Sequence, residues 1–224
     1  MEDSGSVNIV DVLSTDQRTA LESMGTPLLV PAGQTIFWEG QPSRSVLVIR
    51  SGNVKITKKA PDGAEVVLAI RGSTEIMGDE GVLMAENRFA TVTAITDVEG
   101  LDVEADDLLR FVDDHRLWPL MYRAVVHRRR QADEQALIAR ADVRSRLARW
   151  LLELANEVDG HRNGPGLVIE TTLSQHDIAS GIGASRDAVA LELRKLREQG
   201  TISTGRHRIT IYDLDELRRI SGDN

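Results

Sequence analysis

The spacing of apolar residues changes several times along the chain, and these changes predict the order of its elements. Residues 7–25 carry Leu13, Leu21 and Met24 at helical spacing, which predicts one short helix with Ser14 as its N-cap. Residues 26–103 alternate short β-branched runs with glycines roughly every ten residues. This rhythm is typical of an antiparallel sandwich or barrel.

The second half of the chain is predicted to be mainly helical. Residues 105–115 predict a short helix, and residues 118–141 a long one with Pro119 in its first turn. Residues 142–158 predict a further amphipathic helix, which the GHRNGPG segment ends. A strand, two helices and a terminal β-ribbon then complete the chain. The long helix carries a partial apolar seam, which we expect at a dimer interface: Leu117, Leu120, Ala124 and Ile138.

Residues 173–203 have the pattern of a helix-turn-helix, with two capped helices around a glycine turn. Ser174 and Asp177 form a box-like N-cap, and Ser185 caps the second helix. Gly183 supplies the freedom at positive φ that a tight turn needs, and Gly200 ends the second helix. The second helix of such a unit enters the major groove of DNA. The alternative is an ordinary helical hairpin within a core.

A polar ribbon follows the predicted recognition helix. Arg206 and Arg208 flank its turn, where they are placed to contact phosphates as the wing of a winged helix. The alternative is a ribbon that only covers the module. Asp62-Gly63 predicts a second, ordinary hairpin turn within the β region.

Composition and charge narrow the function classes. The net charge is −8, but residues 142–224 hold 12 Lys and Arg against 13 Asp and Glu, a net of −1, so most of the acid lies before them. A near-neutral C-terminal region permits the local basic face that DNA binding needs. The absence of cysteine excludes disulfides, cysteine nucleophiles and iron–sulfur clusters.

Other classes of protein find little support in the sequence. The five histidines have no metal-ligand spacing, and no nucleophile elbow, phosphate loop or dinucleotide turn occurs, so we expect neither a metal site nor an enzyme. The N-terminus lacks a signal peptide, and no apolar run is long enough for a membrane span, so we expect a cytoplasmic protein without membrane partners. We expect the three tryptophans in the core or at a domain junction: Trp38, Trp118 and Trp150.

The segments IFWEG, IRSGNVKITKKAPDG, GDEGVL…RFATVTA and LSQHDIASGIGASRDAV together resemble the cyclic-AMP receptor protein and fumarate–nitrate regulator (Crp/Fnr) superfamily. The resemblance covers nearly the whole chain. It implies an α+β fold with an N-terminal cyclic-nucleotide-binding-type β-barrel of jelly-roll form, a long dimerisation helix and a C-terminal winged helix-turn-helix. The corresponding domains are residues 1–116, 117–141 and 142–224.

The resemblance also implies a ligand pocket. The family's Gly-Glu pair and downstream Arg, which hold the ribose and the cyclic phosphate, correspond to Gly78, Asp79 and Arg88. Phe89 stands where a small hydroxyl residue is usual, and Gln131 and Ala132 stand where the family offers Thr-Ser to the base. Arg88 is the only cation of residues 78–90, so it is the expected phosphate anchor.

Three outcomes remain open for the pocket: cyclic AMP, another small anionic or nucleotide ligand, or no ligand. No cofactor is required. The alternative role for Arg88 is an ion pair with Asp79 or Glu80. The cationic run at residues 127–130 is expected to be solvated or ion-paired, with a ligand contact or a pair within a dimer as alternatives.

For the DNA surface, Ser185, Arg186 and Asp187 match the start of the family's recognition helix, so Arg186 is expected to read a guanine. Leu191 replaces a second base-reading Arg and is placed to meet a thymine methyl group. The implied partners are a pseudo-palindromic DNA operator, a second copy of the chain and RNA polymerase. The competing hypothesis is a ligand-independent member that acts constitutively on DNA or through protein contacts.

Overall fold

The computed structural model describes residues 9–158, 161–163 (backbone only) and 166–222. A 3-10 turn at Ile9–Val12 and helix α1 at Thr15–Met24 replace the single helix expected over residues 7–25, of which residues 7 and 8 lie outside the described ranges. The break has a local cause, because Ser14 has extended backbone and forms a reciprocal capping box with Gln17. The role of Ser14 as an N-cap is therefore confirmed, and the continuous helix was wrong.

Eight strands form two four-stranded antiparallel sheets, ordered β1-β8-β3-β6 and β2-β7-β4-β5. The sheets make a jelly-roll sandwich, not a closed barrel, and we refer to these eight strands as the sandwich. The strands are β1 Thr26–Val30, β2 Thr35–Phe37, β3 Ser45–Ser51, β4 Val54–Lys59, β5 Glu65–Arg71, β6 Ile76–Met77, β7 Thr91–Ala94 and β8 Val98–Glu104.

The β4–β5 hairpin turns at Asp62-Gly63, as predicted. Gly63 has φ +85, and Asp62 Oδ1 accepts a hydrogen bond of 3.0 Å from the Ala64 N–H. The hairpin leaves β5 at the edge of its sheet. Its outward backbone groups are therefore available to a neighbouring element.

Three helices connect and follow the strands: α2 at Asp79–Leu83, α3 at Ala105–Asp114 and α4 at Trp118–Ile138. The expected dimer seam of α4 was wrong in its direction. Leu117 and Ala124 are buried, and Leu120 packs against the same cluster beneath α1 and α3. The large apolar residues that α4 leaves exposed are Trp118, Tyr122 and Val125, which share another face, and Leu137 near its C-terminal end.

The C-terminal part, which we call the HTH module, contains four helices and a four-stranded sheet in the order β11-β12-β10-β9. Residues 159–160 and 164–165 of the expected break lie outside the described ranges. The elements are α5 Val143–Glu157, β9 His161–Asn163, β10 Gly166–Glu170, α6 Gln175–Gly181, α7 Arg186–Glu198, β11 Ile202–Gly205, β12 Arg208–Ile211 and α8 Leu214–Ser221.

Helix α8 was not expected, since the sequence pattern ended the chain on the ribbon. Asp213 caps this helix by accepting a hydrogen bond of 2.8 Å from the Glu216 N–H, and Leu217 is fully buried. One apolar face and one capping residue are thus enough to add a short helix here.

The core of the HTH module continues into the sandwich. Ile70 of β5 and Ile95, which follows β7, belong to the same buried cluster as Trp150 and Leu151 of α5. The junction role expected for Trp150 is therefore confirmed, whereas Trp38 and Trp118 are exposed, contrary to expectation. No helix within the described ranges is both long enough and apolar enough to cross a membrane.

Candidate ligand pocket and DNA-binding surface

The pocket begins where strand β6 turns into the short helix α2. Gly78 has φ +84, and a Cβ at this position would lie 2.2 Å from Arg88 Nη1. Only glycine tolerates both the left-handed backbone and this close approach. Gly78 therefore fixes the entry of α2 and the position of the Arg88 guanidinium.

Arg88 is a buried structural cation in this arrangement, with 6% of its surface exposed. Its Nη1 donates to the Gly78 carbonyl at 3.1 Å and its Nη2 to the Ser45 carbonyl at 2.6 Å, while the guanidinium lies 3.7 Å from the centre of the Phe37 ring. Burial lowers the pKa of Arg88, and the Asp102 carboxylate opposes that shift. The guanidinium thus ties two chain segments together.

Asp79 is bound by a cation that the sequence analysis did not assign to the pocket. Only 4% of Asp79 is exposed, and its Oδ2 accepts a hydrogen bond of 2.7 Å from Arg128 Nη2 of α4. Arg128 Nε also lies 3.4 Å from Glu80 Oε1. The alternative role considered for Arg88, an ion pair with Asp79 or Glu80, is therefore wrong, because Arg128 pairs with both carboxylates.

Burial alone would lower the pKa of Arg128, but the Asp79, Glu80 and Glu75 carboxylates together outweigh it and hold this pKa above its ordinary value. The expectation that residues 127–130 are solvated or ion-paired holds for Arg128, but its place in the pocket was missed, because four consecutive polar residues on a helix point in four directions and the sequence does not say which one meets the sandwich. The spacing of Asp79 from α4 in the chain gives no local signal either.

The remaining expected pocket residues have internal partners or lie at the rim. Phe89 is 55% exposed, and Lys58 Nζ lies 3.4 Å above its ring. Gln131 Oε1 accepts a hydrogen bond of 3.0 Å from Arg71 Nη2, and Ala132 is exposed. The polar groups of this pocket are thus largely satisfied by the chain itself.

The structure brings all six expected ligand residues to one cavity of about 200 Å³, between the sandwich and α4. Typical small-molecule pockets hold about 300–1,000 Å³, so this one is tight. Apolar side chains of the sandwich form its inner wall, and Arg128 closes one side. The six residues are Gly78, Asp79, Arg88, Phe89, Gln131 and Ala132.

The helix-turn-helix is built as the caps and the glycine turn predict. Ser174 and Asp177 form a capping box on α6, Gly183 has φ +62, and Ser185 accepts a hydrogen bond of 3.2 Å from the Ala188 N–H at the start of α7. Arg146 of α5 donates to the carbonyls of Ile182 and Gly183 and holds the turn against the module. The turn is therefore anchored from both sides.

The predicted base- and phosphate-contacting residues lie on one exposed part of the module. Ser185, Arg186 and Asp187 are exposed in the first turn of α7, and Leu191 follows one turn later. Arg206 and Arg208 are exposed around the β11–β12 turn. Within the described part of the chain, no ion pair involves Arg186, Arg206 or Arg208, unlike Arg194 and Lys195 of α7.

Glu192 occupies a position on α7 that faces the interior of the module. Its side chain is mostly buried and pairs with Lys195 at 2.7 Å. The described residues hold no cluster of His, Asp and Glu that fits a metal ion, and the His161 side chain lies outside them.

Comparison with known proteins gives two family matches. The cyclic nucleotide-binding domain matches residues 27–115, and the Crp-like helix-turn-helix domain matches residues 145–220. The CRP-like cAMP-activated global transcriptional regulator of Mycobacterium tuberculosis is 32% identical over 89% of this chain and 90% of its own length. The cyclic AMP receptor protein of Thermus thermophilus is 29% identical over 86% of this chain and 87% of its own.

Among solved structures, a CRP-family transcriptional regulator from Thermus thermophilus superposes with a TM-score of 0.73 at 24% identity. The superposition covers 87% of this chain and 96% of the other. At this identity the similarity establishes the fold.

Replacing Arg128 by Met is expected to destabilise the protein by about 3–5 kcal/mol, because it leaves the buried Asp79 carboxylate without its partner. The double variant Arg128→Met/Asp79→Asn should recover much of that loss. Chemical denaturation measures both.

The matched control is Arg129→Met, since Arg129 pairs with Asp133 at the surface and should contribute less than about 1 kcal/mol. Equal losses for Arg128→Met and Arg129→Met would contradict the structural importance of the Asp79 pair.

Proposed function

This chain belongs to the CRP family of transcription regulators, and from that premise we propose that it is a homodimer that recognises a specific DNA operator. The relatives and the fold are those of regulators, not of enzymes. The observation that carries the proposal is Arg186 at the start of a helix-turn-helix recognition helix, where it is exposed and has no ion pair among the described residues. Because its proposed partner is DNA, we propose that the protein is cytoplasmic. RNA polymerase is a second proposed macromolecular partner.

We divide the chain into a sensor domain (residues 1–116), a dimerisation helix (117–141) and a DNA-binding domain (142–224). The two family matches, at residues 27–115 and 145–220, support these limits. The buried clusters follow these limits only in part, since one reaches into the sensor domain through Ile70 and Ile95 and another joins Leu117, Met121 and Ala124 to the sensor domain.

On the DNA, Arg186 reads a guanine edge with two hydrogen bonds, and Leu191 meets a thymine methyl group. Arg206 and Arg208 contact phosphates on either side of the wing turn. The exposure of these side chains and their lack of ion pairs in the described residues support the assignment, because a satisfied cation would first have to lose its partner.

The dimer forms through the exposed apolar face of α4. Trp118, Tyr122 and Val125 follow one another at intervals of four and three residues, the spacing of a helix–helix seam. Tyr122 is 70% exposed in the single chain. An exposed apolar stripe of this kind marks an interaction site, and we propose that a second copy of the chain covers it. Two-fold symmetry of the dimer then matches a pseudo-palindromic operator.

The sensor pocket admits two candidate modes of control. The family domain and the cAMP-activated relative support a cyclic nucleotide as the effector. In that mode Gly78, Asp79 and Arg88 face the ribose and phosphate, and Gln131 and Ala132 face the base. We propose that such binding is weak and poorly selective, since Gln131 offers both a donor and an acceptor to any base.

The second candidate is a regulator that acts without a ligand. One observation favours it: Arg88, Asp79 and Gln131 already have partners within the chain, so a ligand competes with existing hydrogen bonds for these side chains. The cavity of about 200 Å³ is also smaller than the roughly 300–1,000 Å³ of typical small-molecule pockets.

For DNA recognition, Arg186→Ala should weaken operator binding by about 1–3 kcal/mol and relax the preference at one base pair. Arg206→Ala should weaken binding to all DNA sequences alike and reduce the slope of log affinity against log salt concentration by about one. Mobility shifts over a salt series measure both effects. Arg110→Ala, which removes an exposed cation of the sensor domain, is the control; an Arg186 variant as selective as this control would refute the recognition helix.

For the dimer, Tyr122→Asp should shift the protein to monomers at tens of micromolar, because it places two carboxylates in the apolar seam. Sedimentation velocity measures the species. Leu29→Asp, an equally exposed apolar residue on β1, is the control and should remain dimeric. A wild-type monomer, or a dimeric Tyr122→Asp, would rule out this seam.

For the effector, titration calorimetry should give dissociation constants above about 10 μM for both cyclic AMP and cyclic GMP. This corresponds to a binding free energy no more favourable than about −7 kcal/mol. Asp79→Asn and Arg88→Ala, each checked for folding by thermal melting, should abolish the signal. Tight and cyclic-AMP-selective binding would refute the weak pocket. Absence of binding together with operator binding would support the ligand-independent candidate.

A further inference from the structure

The seam between the HTH module and the sandwich is built from specific polar contacts as well as from apolar packing. Helix α6, the first helix of the helix-turn-helix, lies against the edge strand β5. At the far end of the same seam, the Thr172 N–H donates to the Ile95 carbonyl at 2.9 Å, and Asn53 Nδ2 donates to the Glu157 carbonyl at 2.7 Å. These contacts join segments that are far apart in the chain.

Lys55 of β4 and Asp177 of α6 form an ion pair across this seam, and their side chains are only 16% and 11% exposed. Asp177 also accepts from Ser174 in the capping box of α6. Burial raises the pKa of Asp177, but the hydrogen bonds from Lys55 and Ser174 outweigh it and hold this pKa below its ordinary value. The carboxylate is therefore charged and bound to both domains at neutral pH.

Ser180 completes the hydrogen bonding of the edge strand. Its hydroxyl accepts from the Val67 N–H at 2.9 Å and donates to the Glu65 carbonyl at 2.8 Å. An edge strand otherwise presents these backbone groups without partners. Gly181 follows, and a Cβ there would lie 3.6 Å from Val67 Cβ, an ordinary contact distance, so the backbone of α6 lies close against β5.

Docking leaves the DNA-reading side of the module free. Asp177 is buried and Ser180 half-buried in the seam, whereas Arg186, Arg206 and Arg208 remain exposed. The docked orientation is thus compatible with a duplex on α7 and the wing. Only residues 139–142 connect α4 to α5, so without the seam this short connection alone would orient the module.

We infer that Lys55 and Ser180 are positioning residues that clamp each HTH module to its own sensor domain and so set the half-site spacing that the dimer reads. The inference rests on the proposed dimeric DNA binding. A dimer reads two half-sites about 34–36 Å apart, and the gain from the second half-site depends on how well the second module is already placed. A clamp on β4 and β5 supplies that placement, because both strands are rigid parts of the sandwich.

The test compares full-length wild type, Lys55→Met and Ser180→Ala on palindromic duplexes selected by the wild type from a random pool. The duplexes carry the selected spacing, or spacings changed by one or two base pairs, or a single half-site. Lys59→Met is the matched control, since it removes a lysine from the same strand at an exposed position outside the seam.

Both clamp variants should lose at least about tenfold in affinity for the full site and bind the altered spacings nearly as well as the selected one. Affinity for the single half-site should stay unchanged, because the base and phosphate contacts of each module are intact. Lys59→Met should behave as wild type. A clamp variant that keeps both the affinity and the spacing preference would overturn the inference, as would a gain in full-site affinity.

Hydrogen exchange provides a readout that does not depend on DNA. The amides of Val67 and Thr172, which donate across the seam without touching Lys55, should exchange faster in Lys55→Met than in Lys59→Met. Unchanged exchange rates in Lys55→Met would overturn the inference, whatever the DNA-binding measurements give. A wild type that binds full and half-sites equally would instead refute the proposed dimeric recognition.

Discussion

The burial of charge between the sandwich and α4 constrains the rest of this structure. Asp79 is almost completely buried, and a lone carboxylate in that position would cost several kcal/mol. Arg128 of α4 compensates this charge, so the long helix is held against α2 by an ion pair and not only by apolar contact. The ion pair therefore ties α4 to the wall of the pocket. Because Arg128 already neutralises this carboxylate, Arg88 binds the backbone carbonyls of Gly78 and Ser45 instead.

Strand β5 extends this coupling to the HTH module. Arg71 at its end binds Gln131 of α4, Leu68 and Ala69 line the pocket, and the backbone of Glu65 and Val67 binds Ser180. One strand of seven residues thus contacts the pocket, α4 and the HTH module.

The features that the sequence predicted depend on residues close together in the chain, whereas those that it did not predict depend on residues far apart. Ser14, Ser174, Ser185, Asp62-Gly63 and Gly183 act through neighbours within about four residues, so their caps and turns were predicted from local pattern. The family and its two domains were predicted in the same way, from several local segments in the right order. The Asp79–Arg128 and Lys55–Asp177 pairs join residues 49 and 122 positions apart, and no local pattern encodes them. The face of α4 was misjudged for a related reason. Its apolar residues form two stripes, and only tertiary packing decides that the stripe with Leu117 and Ala124 turns inward.

The internal bonds of the pocket also bound what any effector can achieve. A ligand shifts the state of a protein only by the difference between its affinities for the two states. If it merely exchanges the Arg71–Gln131 or Arg128–Asp79 contact for an equivalent one, the net gain is about that of one hydrogen bond, and the shift is small. A large response requires that the ligand bind groups that one arrangement of α4 and β5 leaves unpaired and the other satisfies. In the present arrangement those groups are paired. An effector at this pocket therefore acts by breaking the Arg128–Asp79 or the Arg71–Gln131 contact, and its strength as a regulator is set by how much more strongly it binds Asp79 and Gln131 than those arginines do.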